Sequence, residues 1–492
     1  MLINKYINIL SIPPGQSNGL FSCVPRQILR YFYTKNKTTP NAQSHVPDFG
    51  IVFDIDGVLM RGPKTIPSAI SASDMLHEQN GKWKVPVLFL TNASNVTKDV
   101  KAAEISKVLY KEVFPSQVVT PHSALRLFSS YFDKHVVVCG HGPLKSLAQN
   151  IGFKRCSTID EISQVFPWLD ACKPRNELYN GGVALNDFSK IEAIVLLGEP
   201  ERWEHSLQIL LDILIQNGDL NKTPNEYLAK RSLPHLPVFA CGSDLVWSTS
   251  APSPRIALGS FLSCLEVLYE RLTGRHLIYT GLLGKPSPSA YIFAMTQFNA
   301  IAARDFGATR PLKRIYCIGD NPEVDIYGAN LFNLCLQTIS EDVCNSVFQQ
   351  VNSLVRDEHP DLFPNCMPNF NFHASKNGKV KAEEIDWCSL IHGSGSTPQI
   401  LRELVKQNPK GELVCSFQPV LVTSGVYQES EGEPHSWRGL YSVHKKYPDL
   451  KFLFRPRFIS SNAAEAVSTI LRMEGSQGNV DGSVPESCSS TS

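Results

Sequence analysis

Two carboxylates separated by one residue close a short uncharged run: Gly50-Ile51-Val52-Phe53 is followed directly by Asp54-Ile55-Asp56-Gly57. The run is apolar and β-prone, as a strand buried on both faces must be. Two acids at the end of such a strand repel each other, so a cation is the expected neutraliser. In open parallel sheets, ligand chemistry gathers at the carboxyl ends of the strands. The expectation is a Mg2+-bound aspartate nucleophile at Asp54, with Asp56 as acid and base.

Three further strand ends repeat the theme. Residues 85–90 form an apolar run into Thr91-Asn92-Ala93-Ser94, and a helical pattern follows over 97–109. A strand that ends in hydroxyls and opens a helix presents the groups that a phosphate needs. Ser94 or Asn95 could also serve as a plain helix cap. Gly284-Lys285-Pro286-Ser287-Pro288 precedes a helical stretch at 290–298, and the run 314–318 ends in Gly319-Asp320-Asn321-Pro322-Glu323-Val324-Asp325. A calcium-loop reading of Asp54 to Gly57 fails, because no spaced ligands and no distal Glu follow.

The elements that must position these residues alternate between strand and helix, which predicts an α/β fold. The chain has 492 residues and a formal net charge of +1, enough for two to three domains and without the field that nucleic acid or an anionic surface would demand. No window is long and apolar enough for a membrane span. The 13 cysteines contain no Cys-x-x-Cys pair, so zinc and redox spacings are missing and free thiols are expected. Residues 1–47 hold no acid but contain Lys5, Arg26, Arg30, Lys35 and Lys37, the composition of a mitochondrial transit peptide.

Boundaries follow from these shifts. Residues 1–46 are read as a leader, 47–120 as the first part of a core, and 121–273 as an inserted α/β unit. Residues 274–340 return to the core, 341–418 form an insertion without clear periodicity, and 419–473 close the core. The strand 420–423 is expected to be the last, and the Ser- and Gly-rich residues 474–492 are expected to be a disordered tail.

Asp54-Ile55-Asp56-Gly57-Val58, Leu90-Thr91-Asn92-Ala93-Ser94, Gly284-Lys285-Pro286 and Gly319-Asp320 through Asp325 stand in one order along the chain. This ordered set resembles the haloacid dehalogenase superfamily of hydrolases, and a unit inserted between the Thr and Lys motifs resembles its subclass IIA. The resemblance implies a Rossmann-like, doubly wound parallel sheet core with a smaller α/β cap of the C2 type. It implies a phosphatase in which Asp54 attacks phosphorus and Asp56 protonates the leaving oxygen and then activates water. Mg2+ would be held by Asp54, Asp320 and the backbone carbonyl of Asp56. Thr91, Asn92 and Lys285 would bind the phosphoryl group, and Asp325 would orient Lys285 or a metal water.

The implied partner is a small phosphorylated metabolite in the mitochondrial matrix. Related caps pair subunits, so the resemblance admits a homodimer. Within the inserted unit, the loop 241–259 is the candidate for specificity. Arg255 could meet an anionic group there or be an exposed structural residue, and Trp247 is assigned to packing. Three other functions compete. A dehalogenase needs neither Asp56 nor Asp320. A phosphomutase could use Asp56. A catalytically quiet scaffold or metabolite sensor would keep the fold alone.

Overall fold

The computed structural model describes residues 46–170, 188–220, 235–338, 341–363, 413, 415–427 and 448–477. Among these residues, six parallel strands form the larger sheet: β1 (Phe49–Phe53), β4 (Val87–Leu90), β5 (Val118–Val119), β13 (Arg314–Gly319), β14 (Ser416–Val422) and β15 (Phe458–Ser460). Their order is β15-β14-β13-β1-β4-β5, so the chain winds outward in one direction before the insertion and in the other after it. The reversal falls beside β1, where an open α/β sheet leaves its crevice. The register sets the site: Phe53 pairs with Ile318 of β13 and with Phe89 of β4. Asp54, Asp320 and Thr91 therefore leave the sheet at one edge.

Both faces of this sheet are covered. Ile51, Phe53, Phe89, Ile318 and Val422 pack on one side, where the helices Pro67–Leu76 and Ala463–Gln477 bring Ala72, Ala466 and Ile470. Val52, Leu88, Ile315 and Phe417 pack on the other against the helix Pro288–Phe306, which is buried along most of its length. Alternate residues of each strand thus serve opposite layers, which is why the strands read as continuous apolar runs.

A second sheet of five parallel strands lies between β5 and β13 in the chain. It consists of β6 (His135–Cys139), β7 (Arg155–Thr158), β8 (Ala193–Leu196), β9 (Val238–Cys241) and β12 (Gly281–Leu283), in the order β12-β9-β8-β6-β7. Two short hairpins complete the strands: β2 (Met60–Arg61) with β3 (Lys64–Thr65), and β10 (Val246–Trp247) with β11 (Arg255–Ile256). The segment Pro121–Tyr131 joins the two sheets, with Phe128 and Tyr131 meeting Phe239 of β9 edge-on at 4.7 and 5.1 Å.

Several expectations need correction. The run at 281–283 was expected back in the core, but β12 pairs with β9 and extends the inserted unit beyond residue 273. The stretch after residue 340 contains a helix, Glu341–Glu358, whose apolar face carries Phe348, Val351 and Val355 into the core. The strand at 420–423 is not the last, because β15 pairs with β14 beyond it. Glu474 is not in a loose tail: it lies within the helix Ala463–Gln477 and binds Arg314 at 2.7 Å and the Tyr316 hydroxyl at 2.7 Å. Residues 1–45 of the expected leader and residues 364–412 of the expected insertion lie outside the described residues.

Candidate active site

The carboxyl ends of β1 and β13 bring three carboxylates together: oxygens of Asp54, Asp320 and Asp325 lie within 4.8 Å of one another. Each is held differently. Asp54 Oδ1 accepts from Lys285 Nζ at 2.5 Å, and Lys285 Nζ also donates to Asp325 Oδ1 at 2.7 Å. The second Asp325 oxygen accepts the backbone N–H of Asn321 at 3.0 Å, so both of its oxygens are committed. Asp320 Oδ2 accepts the Val426 N–H at 2.6 Å. Asp54 and Asp320 each retain one oxygen with no partner among the described residues.

Two glycines make room for Asp320. A Cβ on Gly57, which has a φ of +87°, would stand 2.1 Å from Asp320 Oδ2, and one on Gly425 would stand 1.8 Å from the same atom. The loop after β14 is fastened over the loop after β1 by the Ser424 hydroxyl, which donates to the Gly57 carbonyl at 2.7 Å. This is how the late strand contributes to a site whose Asp54 lies some 370 residues earlier in the sequence.

Burial dominates the electrostatics. It pushes the Asp54 carboxyl well up against the downward pull of Lys285, with Asp325 and Asp320 adding to the rise. Asp320 is pushed up to about 7 by burial and by Asp325. Burial works to lower Lys285, but Asp325 and Asp54 outweigh it and raise the ammonium above its usual range. Close, buried acids with free oxygens are a hard-oxygen donor set for a small divalent cation. The residues present therefore fit Mg2+, with Asp54 and Asp320 as its side-chain ligands. Asp325, bonded through both oxygens, orients Lys285 instead.

Asp56 lines the same cleft, and its carboxylate makes no hydrogen bond among the described residues. Burial raises it above the ordinary carboxylate range, while Lys101 and Lys285 pull it down. A free, partly desolvated carboxyl beside Asp54 can hold a proton and release it.

Thr91 and Asn92 depart from expectation. Thr91 ends β4 but is not among the cleft-lining residues, and its hydroxyl accepts the Ala93 N–H at 3.0 Å. Asn92 was expected to bind substrate, yet its amide is fully used. Its Oδ1 accepts the Lys285 N–H at 2.7 Å, while its Nδ2 donates to the Lys285 carbonyl at 2.8 Å and to Asp244 at 2.7 Å. The cap of the following helix Lys98–Leu109 is Thr97, not Ser94 or Asn95.

The opposite wall of the cleft comes from the inserted unit. His141, Glu199, Asp244, Trp247 and Ser248 supply that wall. His141 and Glu199 escaped the sequence reading. Each follows a glycine at the end of an apolar run, Cys139-Gly140-His141 and Leu197-Gly198-Glu199, the same strand-end signal that marked the core motifs. Arg255 is exposed and donates to its own loop at Ser253 and Pro254. Trp247, assigned to packing, faces the cleft.

The inserted sheet thus closes over a strand-end aspartate site that combines a paired lysine with a cation-fitting acid set. Residues 51–154 match the family model described as haloacid dehalogenase-like hydrolase. Over those residues the chain is similar to the haloacid dehalogenase-like hydrolases. Its inserted α/β unit lies between β4, which Thr91 follows, and Lys285.

The hydrolase is similar to two curated fungal proteins. One is a cardiolipin synthase (CMP-forming) / mitochondrial hydrolase fusion protein of Schizosaccharomyces pombe, 29% identical over 316 residues, which are 62% of this chain and 50% of that protein. The chain therefore spans about half the length of that relative. The other is a mitochondrial hydrolase of Saccharomyces cerevisiae, 26% identical over 332 residues, covering 62% of this chain and 89% of that protein. Among solved structures, a p-nitrophenyl phosphatase from Archaeoglobus fulgidus is 13% identical, with a TM-score of 0.41 over 85% of this chain and 98% of that one.

Proposed function

We propose that this hydrolase is a Mg2+-dependent phosphatase that cleaves small phosphomonoesters through an aspartyl-phosphate on Asp54. The observation that carries the reading is the division of labour among the acids. Asp54 and Asp320 keep free oxygens, Asp325 is spent on Lys285, and Asp56 stands unbonded in the cleft. A dehalogenase would need neither Asp56 nor Asp320. Mg2+, when bound by Asp54 and Asp320, supplies positive charge that screens the phosphate from the carboxylates.

The chain's own residues account for the rest. An Asp54 oxygen attacks phosphorus, and the bond to the ester oxygen breaks. Protonated Asp56 gives its proton to the leaving oxygen, so an alcohol departs. Asp56 then takes a proton from water as that water attacks the phosphoryl group, releasing phosphate and restoring Asp54. The Lys285 ammonium, fixed by Asp325 and by the Asn92 grip on its backbone, neutralises charge on the transferring oxygens. The cap wall restricts the entry of bulk water around the leaving group.

Both fungal relatives carry mitochondrial names, and the acid-free residues 1–47 have transit-peptide composition, which together support a mitochondrial matrix location. The test is phosphate release by the purified chain from a panel of phosphomonoesters, with and without Mg2+. Metal-dependent release is expected, and no release from any ester defeats the reading.

A further inference from the structure

We propose that the alcohol half of the substrate carries a positively charged amine, held by Glu199 and Trp247 of the cap. The inference rests on the phosphomonoesterase reading and names the substrate class for that site.

The charge balance of the cleft points this way. Among the described residues, Lys285 is the one Lys or Arg that lines the cleft, and its ammonium is already shared between Asp54 and Asp325. The cap wall adds two acids, Glu199 and Asp244, and, among the described residues, no lysine or arginine. Lys101, which acts on Asp56 from behind, is paired with Glu104 at 2.7 Å. Arg255, the cationic residue of the cap loop, is exposed and bonded to its own backbone neighbours. His141 is engaged by its neighbours: Nδ1 lies 2.8 Å from the Glu199 carbonyl oxygen, and Nε2 lies 2.6 Å from Asn95 Nδ2. A phosphate on the core side is served by Lys285 and the cation that Asp54 and Asp320 fit. Among the described residues, nothing equivalent serves an anion on the cap side.

Glu199 is the acid left over. The His141 bond to its carbonyl fixes its backbone, yet its carboxylate has no hydrogen bond or ion pair among the described residues. It is half-buried, three residues beyond the end of β8. A carboxylate taken partly out of water without a counter-ion is costly, and a ligand ammonium removes that cost. Trp247 lines the same cleft from the β10–β11 hairpin with no ring stacked on it among the described residues, and an indole face attracts an ammonium. An anionic leaving group, by contrast, would meet Glu199 and Asp244 at close quarters. A polyol could also satisfy these acceptors, but it would leave the carboxylate charge uncompensated.

The experiment uses the full chain with Mg2+ and four esters: phosphoethanolamine, phosphocholine, glycerol 3-phosphate and 3-phosphoglycerate, with p-nitrophenyl phosphate as reference. The amino esters should exceed glycerol 3-phosphate in kcat/KM by about tenfold, the effect of roughly 1.4 kcal/mol of cation binding, and 3-phosphoglycerate should be poorest. Glu199→Gln should lower kcat/KM for the amino esters about tenfold more than for glycerol 3-phosphate, and Trp247→Leu should act in the same direction. The proposal is overturned if 3-phosphoglycerate matches the amino esters. It is equally overturned if glycerol 3-phosphate leads and Glu199→Gln leaves the ratio unchanged, which would favour a polyol. No release from any ester, p-nitrophenyl phosphate included, would instead defeat the phosphatase reading beneath it.

Discussion

Asn92 holds Lys285 by both polar groups of its backbone: the Lys285 N–H donates to Asn92 Oδ1 at 2.7 Å, and Asn92 Nδ2 donates to the Lys285 carbonyl at 2.8 Å. The two residues are 193 positions apart, with the whole cap between them. The grip explains how a lysine that follows a long insertion returns to the nucleophile. Asn92→Ala should therefore act through Lys285. Expected is a fall in kcat of about tenfold to hundredfold, as for a misplacement of order 1 Å, with a smaller change in KM. Steady-state kinetics check this, and a change under twofold contradicts it.

Lys285 itself neutralises Asp54 and Asp325 in a nearly water-free setting, with 4% side-chain exposure. Lys285→Met leaves two buried acids facing each other. It should abolish turnover and cost about 3 kcal/mol of stability, typical for breaking a buried pair. Adding Asp325→Asn should return part of the stability and none of the activity. Denaturant unfolding of the single and double variants measures the first, and phosphate release the second.

The space for Asp320 depends on Gly425, where a Cβ would come within 1.8 Å of Asp320 Oδ2. Gly425→Ala should displace the carboxylate without touching Asp54. The Mg2+ concentration for half-maximal activity should rise at least about tenfold, as for altered support of a metal ligand. A Mg2+ titration of activity tests this, and an unchanged midpoint contradicts the metal role given to Asp320.

Asp244 supplies a pH prediction. Burial lifts its carboxyl to about 7, despite Lys285 and the Asn92 hydrogen bond. An acid whose folded pKa exceeds its unfolded value binds its proton more tightly when folded. Its contribution favours folding at low pH and is lost as the pH rises from the ordinary carboxylate value through about 7. Asp244→Asn removes that loss and keeps an acceptor for Asn92. The variant's Tm should therefore gain on the wild type as the pH rises from 5 to 8, relative to their difference at pH 5. Thermal melts across this range decide the matter, and a constant difference contradicts it.

How much of this was legible depends on where the signal lies. Asp54, Asp56, Lys285, Asp320 and Asp325 stand where apolar runs stop, and an acid or lysine there has little structural excuse. The grip of Asn92 on Lys285 is invisible to spacing, because it depends on a contact made only once the cap has folded. The place of β12 was misread for a related reason. Gly281-Leu282-Leu283 is equally apolar in either sheet, and only its pairing with Phe239, Ala240 and Cys241 assigns it to the cap. The helix Glu341–Glu358 was overlooked because its apolar residues are spaced among Gln, Asn and Ser, which weakens the pattern. Glu358 nonetheless fastens it to the helix Lys98–Leu109 by pairing with buried Lys98 at 2.8 Å.

The central claim is that Asp54 becomes phosphorylated and Asp56 governs both proton transfers. Asp56→Asn keeps the nucleophile but cannot activate water. Mixed with p-nitrophenyl phosphate and Mg2+, whose good leaving group needs no acid, and quenched in acid, this variant should show one phosphoryl group on the peptide that contains Asp54. Its steady-state turnover should fall by about 100-fold or more. Wild-type speed in the variant, or a phosphoryl group on any residue other than Asp54, would contradict the account.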